Sequence, residues 1–450
     1  MCGGKYRQIK WLIMALTLAI YYLAPWLRWD RGPNVPDQAI LIDITHGHVY
    51  FFFVDIWPQE VYYIMGLLII AAISLFFITS LFGRVWCGYL CPQTIWVDLF
   101  IWIEYLFQGN RNDKLRRNKS PYAFDTIWRK VATHSVWILI ALFTGGSWVF
   151  YFNDAPTLID QLWRLDLSAA VFGWVFALMA STYLMAGYMR EQVCVYMCPY
   201  ARFQSAMFDK DTLIINYDES RGEPRGSHKA GDSWEGKGHC VNCKVCVQAC
   251  PMGIDIRNGL QMECIACGLC VDACDEIMQK LNLPPNLVRY DTLRNQHYRL
   301  HNKPEKLRFF RPRTSLYVFI IVLVASVMLD SLLTRSLLDL HVIHDRNPVF
   351  VKLSDGTIRN GYDIKILNKT YDMKSYELSV SGLTETLIEV QGAGKLTADK
   401  LHVFAGSVGH FRVFVTADKT IEKRRSVVFL VRDLDTGAIQ QRKSIFVSSQ

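Results

Sequence analysis

The chain has 450 residues, of which 51% are hydrophobic, 13% aromatic and 20% charged, with a formal net charge of +8. Such apolar content excludes a disordered chain, which needs low hydrophobicity and high charge. The basic residues flank nearly uncharged apolar windows, so they mark membrane borders rather than a nucleic-acid surface, and thirteen cysteines are too sparse for a small disulfide scaffold.

In chain order, Cys2-Gly3-Gly4 has no hydrophobic segment ahead of it and reads as a tail. Residues 11–27 form the first apolar window, an uncleaved anchor because no small-x-small cleavage site follows. The loop 43–50 after it holds His46 and His48, weak candidates for Cu(II) binding beside the simpler reading of a polar interfacial loop. A second span covers 61–82, and the shorter run 95–107, which contains Asp98 and Glu104, predicts an interfacial helix. Spans three and four cover 131–152 and 169–187, each long enough for ~30 Å of hydrocarbon at 1.5 Å per residue. His134 near the inner end of the third needs no function there.

Cysteines follow the second and fourth spans. Cys87-x3-Cys91-Pro92 and Cys194-x3-Cys198-Pro199 repeat one device, predicting an internal repeat of a two-helix unit. On a helix, positions i and i+4 share a face, and a proline opens a new helix readily. Two facing pairs bring up to four soft thiols together, a set that suits Cu(I), zinc or iron–sulfur iron. Buried packing cysteines, a redox dithiol and extra iron–sulfur ligation are the alternatives.

Domain boundaries follow. Residues 1–210 form a membrane domain and 211–235 a Gly/Pro-rich linker without a phosphate-loop signature. Residues 236–282 carry Cys240-x2-Cys243-x2-Cys246-x3-Cys250-Pro251 and then Cys264-x2-Cys267-x2-Cys270-x3-Cys274, the two-cluster bacterial ferredoxin pattern. Three thiolates on a tight loop serve one cubane and the fourth serves the other. This predicts two [4Fe–4S] clusters, one on Cys240, Cys243, Cys246 and Cys274, the other on Cys264, Cys267, Cys270 and Cys250. Structural zinc also uses Cys-x2-Cys pairs but has no use for crossed ligation. Asp275 stands where a second proline is usual, so the local turn is expected to differ.

A basic linker, 283–313, leads to the fifth span, 314–334. His341 and His344 just beyond have helical spacing and read as helix-end packing. Residues 339–450 change pattern, with β-rich runs at 349–353, 362–367, 376–380, 386–390, 411–416, 427–432 and 443–447. Seven short strands predict an Ig-like β-sandwich, although the Cys…Trp…Cys signature is absent. The fold class is therefore a multidomain membrane protein, with a five-helix all-α bundle, an inserted α+β ferredoxin module and an all-β C-terminal domain. Lysine and arginine crowd the segments before spans one, three and five. This predicts a cytoplasmic N-terminus and ferredoxin module and a periplasmic β-domain in a bacterial inner membrane. All the cysteines then face the reducing side.

Taken together, the chain resembles the FixG/RdxA/CcoG family, accessory proteins of C-type (cbb-type) cytochrome oxidase. The resemblance is carried by His46-Gly47 through 55–63, by 83–94, by 194–199, by the ferredoxin repeat, by 221–226 and by Asp345-Arg346-Asn347-Pro348. It implies a cupric reductase in oxidase assembly, with copper bound and reduced at Cys87, Cys91, Cys194 and Cys198. It also implies lipid, the oxidase assembly machinery or copper chaperones, and an unnamed electron donor as partners, and is compatible with a homodimer. A quinol-linked relay without copper and a non-redox scaffold docking through the β-domain are the alternatives.

Overall fold

The computed structural model describes residues 3–32, 35–228, 234–301, 303–383, 386–391, 400–418 and 423–448. Cys2 and residues 229–233 of the expected linker lie outside them. Five helices are long and apolar enough to cross a membrane: Lys5–Trp26, Pro58–Phe82, Phe124–Val149, Ala169–Met197 and Pro312–Leu333. The first begins six residues before the apolar window because Arg7 and Lys10 are buried against a carboxylate, Asp98, at 3.0 and 3.4 Å. Hydropathy cannot anticipate a charge whose counter-charge lies ninety residues away. The fourth runs ten residues past its expected end, through π-helical stretches at Tyr183–Met189 and Val193–Met197, a geometry frequent at functional sites.

Asp98 sits on Pro92–Gln108, the helix expected to be interfacial. It is instead an interior element. Phe100 and Ile103 are buried with Trp137 of the third spanning helix, whose indole donates to the Phe100 carbonyl at 3.1 Å.

The segments expected as linkers on either side of the ferredoxin cysteines are folded. Ile214–Tyr217 pairs antiparallel with Val288–Asp291, and Ile215, Tyr217, Leu287 and Val288 join the core that contains Cys240, Cys246 and Cys270. This two-stranded sheet closes the module at its base. A further small sheet, Ile40–Asp43, His48–Phe51 and Val54–Ile56, occupies the segment expected as a loop.

The chain divides into two units, Met1–Leu27 with Gln38–Leu329, and Arg28–Asp37 with Asp330–Gln450. The second is built of two antiparallel sheets. One orders Thr386–Gln391, Ser407–Ala417, Ile358–Asn368 and Leu338–His344, with Val351–Lys352 added beside Ile358–Asn368. The other orders Leu401–Val403, Lys374–Ser381, Arg424–Asp433 and Ile439–Val447. Ile364, Ile366 and Val413 of the first sheet share a core with Tyr376, Phe429 and Phe446 of the second, so the sheets pack face to face. All seven expected runs fall on strands. Leu338–His344 and Leu401–Val403 were not anticipated, and the former corrects the helical reading of His341 and His344. His341 pairs with Lys365 across the sheet and His344 with Tyr362.

Candidate functional site: a four-thiol cavity beside two cysteine-lined cavities

Each Cys-x3-Cys-Pro motif adopts one shape. Cys87 lies in the short helix Val85–Tyr89, whereas Cys91 is extended at φ −63°, ψ 126° and caps the helix that Pro92 opens. Cys194 lies in the π-helical Val193–Met197, and Cys198 is extended at φ −81°, ψ 109° before Pro199. The i, i+4 reading is thereby corrected: no single helix presents both thiols of a pair, because the ring of a proline drives the preceding residue out of the helical region. The proline-opened helices stand as expected.

The two motifs nevertheless converge. Cys87, Cys91, Cys194 and Cys198 all line one open cavity, together with Arg84, Met252, Met262, Glu263 and Ile265. The Cys87 thiol donates to Gln204 Oε1 at 3.2 Å, and Gln204 is held by Thr79 at 3.3 Å. Burial pushes the Cys87 thiol up to about 12, so metal capture there releases a proton. Arg84 donates to the carbonyls of Met262 and Ala201, tying the ferredoxin segment to the end of the second span.

In the ferredoxin module, one small cavity is lined by Cys246, Cys250, Cys264, Cys267 and Cys270. A second is lined by Cys240, Cys243, Cys246 and Cys274. The backbone repeats in both motifs. Asn242 and Lys244 have φ of 56° and 59°, and Ala266 and Gly268 have φ of 51° and 76°. Residues flanking the second cysteine of each motif are thus left-handed, a device that turns successive N–H groups into an anion-binding nest of the kind found at iron–sulfur sites. The spacing alone did not reveal it. Among the described residues, no three Cys, His, Asp or Glu side chains stand close enough to hold a single ion. Each cavity joins three cysteines of one run to the fourth of the other, the crossed donor set that fits [4Fe–4S] groups. Burial pushes the Cys264 and Cys274 thiols up to about 12, a cost removed when a thiolate is bound to iron. Asp275 has the expected local consequence. Cys250 is extended before Pro251, but the helix Leu269–Lys280 runs on through Asp275, whose carboxylate accepts the Asn286 N–H at 2.7 Å.

The three cavities share walls. Cys246 lines both ferredoxin cavities, while Met252 and Ile265 line both the cavity bearing Cys264, Cys267 and Cys270 and the four-thiol cavity. Gly88 makes the approach possible, since a Cβ there would lie 2.6 Å from the Ile265 carbonyl oxygen. The Tyr89 hydroxyl donates to the Cys267 carbonyl at 3.0 Å and Tyr290 to the Ala266 carbonyl at 2.6 Å. A further positioning group escaped sequence reading. The buried Asp272 carboxylate, between Cys270 and Cys274, accepts the Tyr6 and Arg7 amides at 3.2 and 2.8 Å. Its only sequence signal is an acidic residue inside a cysteine motif.

The histidine candidates do not assemble. His46 is exposed and pairs with Asp43 at 2.6 Å. His48 is buried, bonds Asp55 at 3.1 Å and packs on Trp57, so the hairpin sends the two rings to different partners and the copper reading of this loop is withdrawn. His134 bonds the Tyr183 hydroxyl at 3.0 Å, and His344 bonds Asn360 at 2.8 Å.

Comparison with known proteins adds to this geometry. A family model described as a 4Fe–4S dicluster domain matches residues 189–293, and one described as a 4Fe–4S binding domain matches 64–116. The Ig-like fold at the C-terminus of FixG matches 328–449. With its spanning-length helices, the chain is a multidomain membrane iron–sulfur protein of the oxidoreductase class. Nitrogen fixation protein FixG of Rhizobium meliloti is 44% identical over 448 residues, covering 92% of this chain and 85% of that protein. Protein RdxA of Cereibacter sphaeroides is 45% identical over 92% of this chain and 88% of its own length, and Protein RdxB of the same organism 42% over 99% and 94%. The chain belongs to the FixG/RdxA family. A crystal structure of a FixG-related protein from Vibrio parahaemolyticus is 23% identical, covering 26% of this chain and 100% of that one at a TM-score of 0.23.

Proposed function

We propose that the protein reduces Cu(II) to Cu(I) at the four-thiol cavity, for copper-site assembly of a cbb-type oxidase. The observation that carries this reading is the convergence of Cys87, Cys91, Cys194 and Cys198 on a cavity that shares Met252 and Ile265 with a ferredoxin cavity. Cys240, Cys243, Cys246 and Cys274 would hold one [4Fe–4S] group, and Cys250, Cys264, Cys267 and Cys270 the other. When bound, these groups supply single electrons, the unit that Cu(II) consumes. The residues of the chain do the rest. The four thiols are soft donors that favour Cu(I) over Cu(II). Arg84 and Gln204 hold the wall bearing Cys87 in place, and Gly88 permits direct contact with the Cys264–Cys267 loop. On the basic-residue asymmetry, the cavity and the ferredoxin module face the cytoplasm and the β-domain faces the periplasm.

A second reading has its own support. The 4Fe–4S binding match over 64–116 includes Cys87 and Cys91, which favours an additional iron–sulfur group in the four-thiol cavity and a relay without copper. Anaerobic Cu(II) titration of the dithionite-reduced protein, followed by visible absorbance, separates the two. Stoichiometric, copper-dependent recovery of the oxidised-cluster absorbance is expected. Reoxidation by quinone but not by copper supports the relay, and inertness to every acceptor supports a scaffold.

A further inference from the structure

The four-thiol cavity has a donor that neither cysteine motif supplies. Met262 lies two residues before Cys264 and lines the cavity together with all four membrane thiols. It is 57% exposed, so its thioether stands at the open edge rather than in a core. A single exposed methionine is ordinary on a protein surface, but this one is held: Arg84, from the segment that leads into the Cys87 helix, donates to its backbone carbonyl. Met252, the other thioether on the cavity wall, is accounted for by packing against Ile265, Cys267 and Leu269.

We propose that Met262 is a Cu(I) ligand at the mouth of the four-thiol cavity and completes a mixed thiolate–thioether site. A thioether is soft and uncharged. It favours the reduced ion over Cu(II) and adds a donor without adding negative charge, so it strengthens the hold on Cu(I), though less than a fifth thiolate would. Its place at the exposed rim makes it the donor that an incoming metal carrier meets first. This inference rests on the copper reading of the cavity.

The test uses the full-length, iron-loaded protein. Met262→Leu keeps apolar volume and removes only the sulfur. Cu(I) affinity, measured against a competing chelator under anaerobic conditions, is expected to fall at least tenfold while iron content stays unchanged. Wild-type Cu(I) affinity in Met262→Leu, with that of C87S/C91S lost, overturns the Met262 role and leaves the copper site standing. Wild-type affinity in C87S/C91S overturns the copper reading itself. Protein labelled with selenomethionine gives a readout free of any substitution: copper-edge X-ray absorption should show a selenium neighbour to bound Cu(I), and its absence rejects the proposal. Loss of that neighbour in Met262→Leu assigns it.

Discussion

Replacing Gly88 with alanine perturbs the close approach of the Cys87 helix to the Cys264–Cys267 loop. The added Cβ would lie 2.6 Å from the Ile265 carbonyl oxygen, 3.0 Å from that of Ala266 and 3.1 Å from the Cys267 Cα. Ordinary contact begins near 3.4 Å, so the Cys87 helix and the Cys264–Cys267 loop must separate by about 0.8 Å. The neighbours are backbone atoms on a loop bearing cluster-motif cysteines, and neither can rotate away. Overpacking of this kind typically costs about 1–3 kcal/mol. The same separation strains the 3.0 Å bond from Tyr89 to the Cys267 carbonyl. Gly146→Ala is the control, since a Cβ there meets nothing within 4 Å and alanine is favoured over glycine in a helix by roughly 0.5–1 kcal/mol. Two assays are needed: single-turnover reoxidation of the pre-reduced protein by Cu(II), and protease resistance of the ferredoxin module in detergent. Gly88→Ala should slow the first and weaken the second, and Gly146→Ala should do neither. Wild-type rate and resistance in Gly88→Ala would show that the close approach is irrelevant to function.

Four further outcomes are expected. C87S/C91S and C194S/C198S should each lose Cu(I) binding and copper reduction yet keep about eight irons, as expected for two [4Fe–4S] groups; loss of iron in either variant would favour an iron–sulfur role for the cavity. Asp98→Ala removes the carboxylate that the buried Arg7 and Lys10 both face and should destabilise the helical unit by about 3–5 kcal/mol, read as a lower thermal midpoint in detergent. Hydrogen bonds from Arg257 hold the Asp255 carboxyl below the usual carboxylate range. A depressed value stabilises the fold above the ordinary carboxylate range and loses that contribution as pH falls through the folded value, so iron release on acidification should begin at higher pH in Arg257→Gln than in wild type. Reporter fusions should be exported after Ser448 and retained at Gly236; the reverse would invert the orientation.

Some features of this chain are local, and a sequence displays local features well. Spanning helices declare themselves by length and apolar content, and the seven β-runs by alternation. The crossed lining of the two ferredoxin cavities follows from the reach of a tight Cys-x2-Cys-x2-Cys turn, which is set by covalent geometry. Even the consequence of Asp275 was foreseeable, because proline alone would have stopped that helix. Where partners lie far apart in the chain, the sequence is silent. Arg7 and Lys10 enter a buried environment only because Asp98 meets them, and Ile214–Tyr217 becomes a strand only because Val288–Asp291 returns to pair with it. The histidines of the hairpin are two residues apart, yet Asp43 and Asp55 draw them to different neighbours. Cys87 and Cys198 are brought to one cavity, with Met262 on its rim, by the fold alone. Spacing dictates which atoms a short loop can gather. Only packing, in which burial and counter-charge outweigh local preference, decides which loops meet.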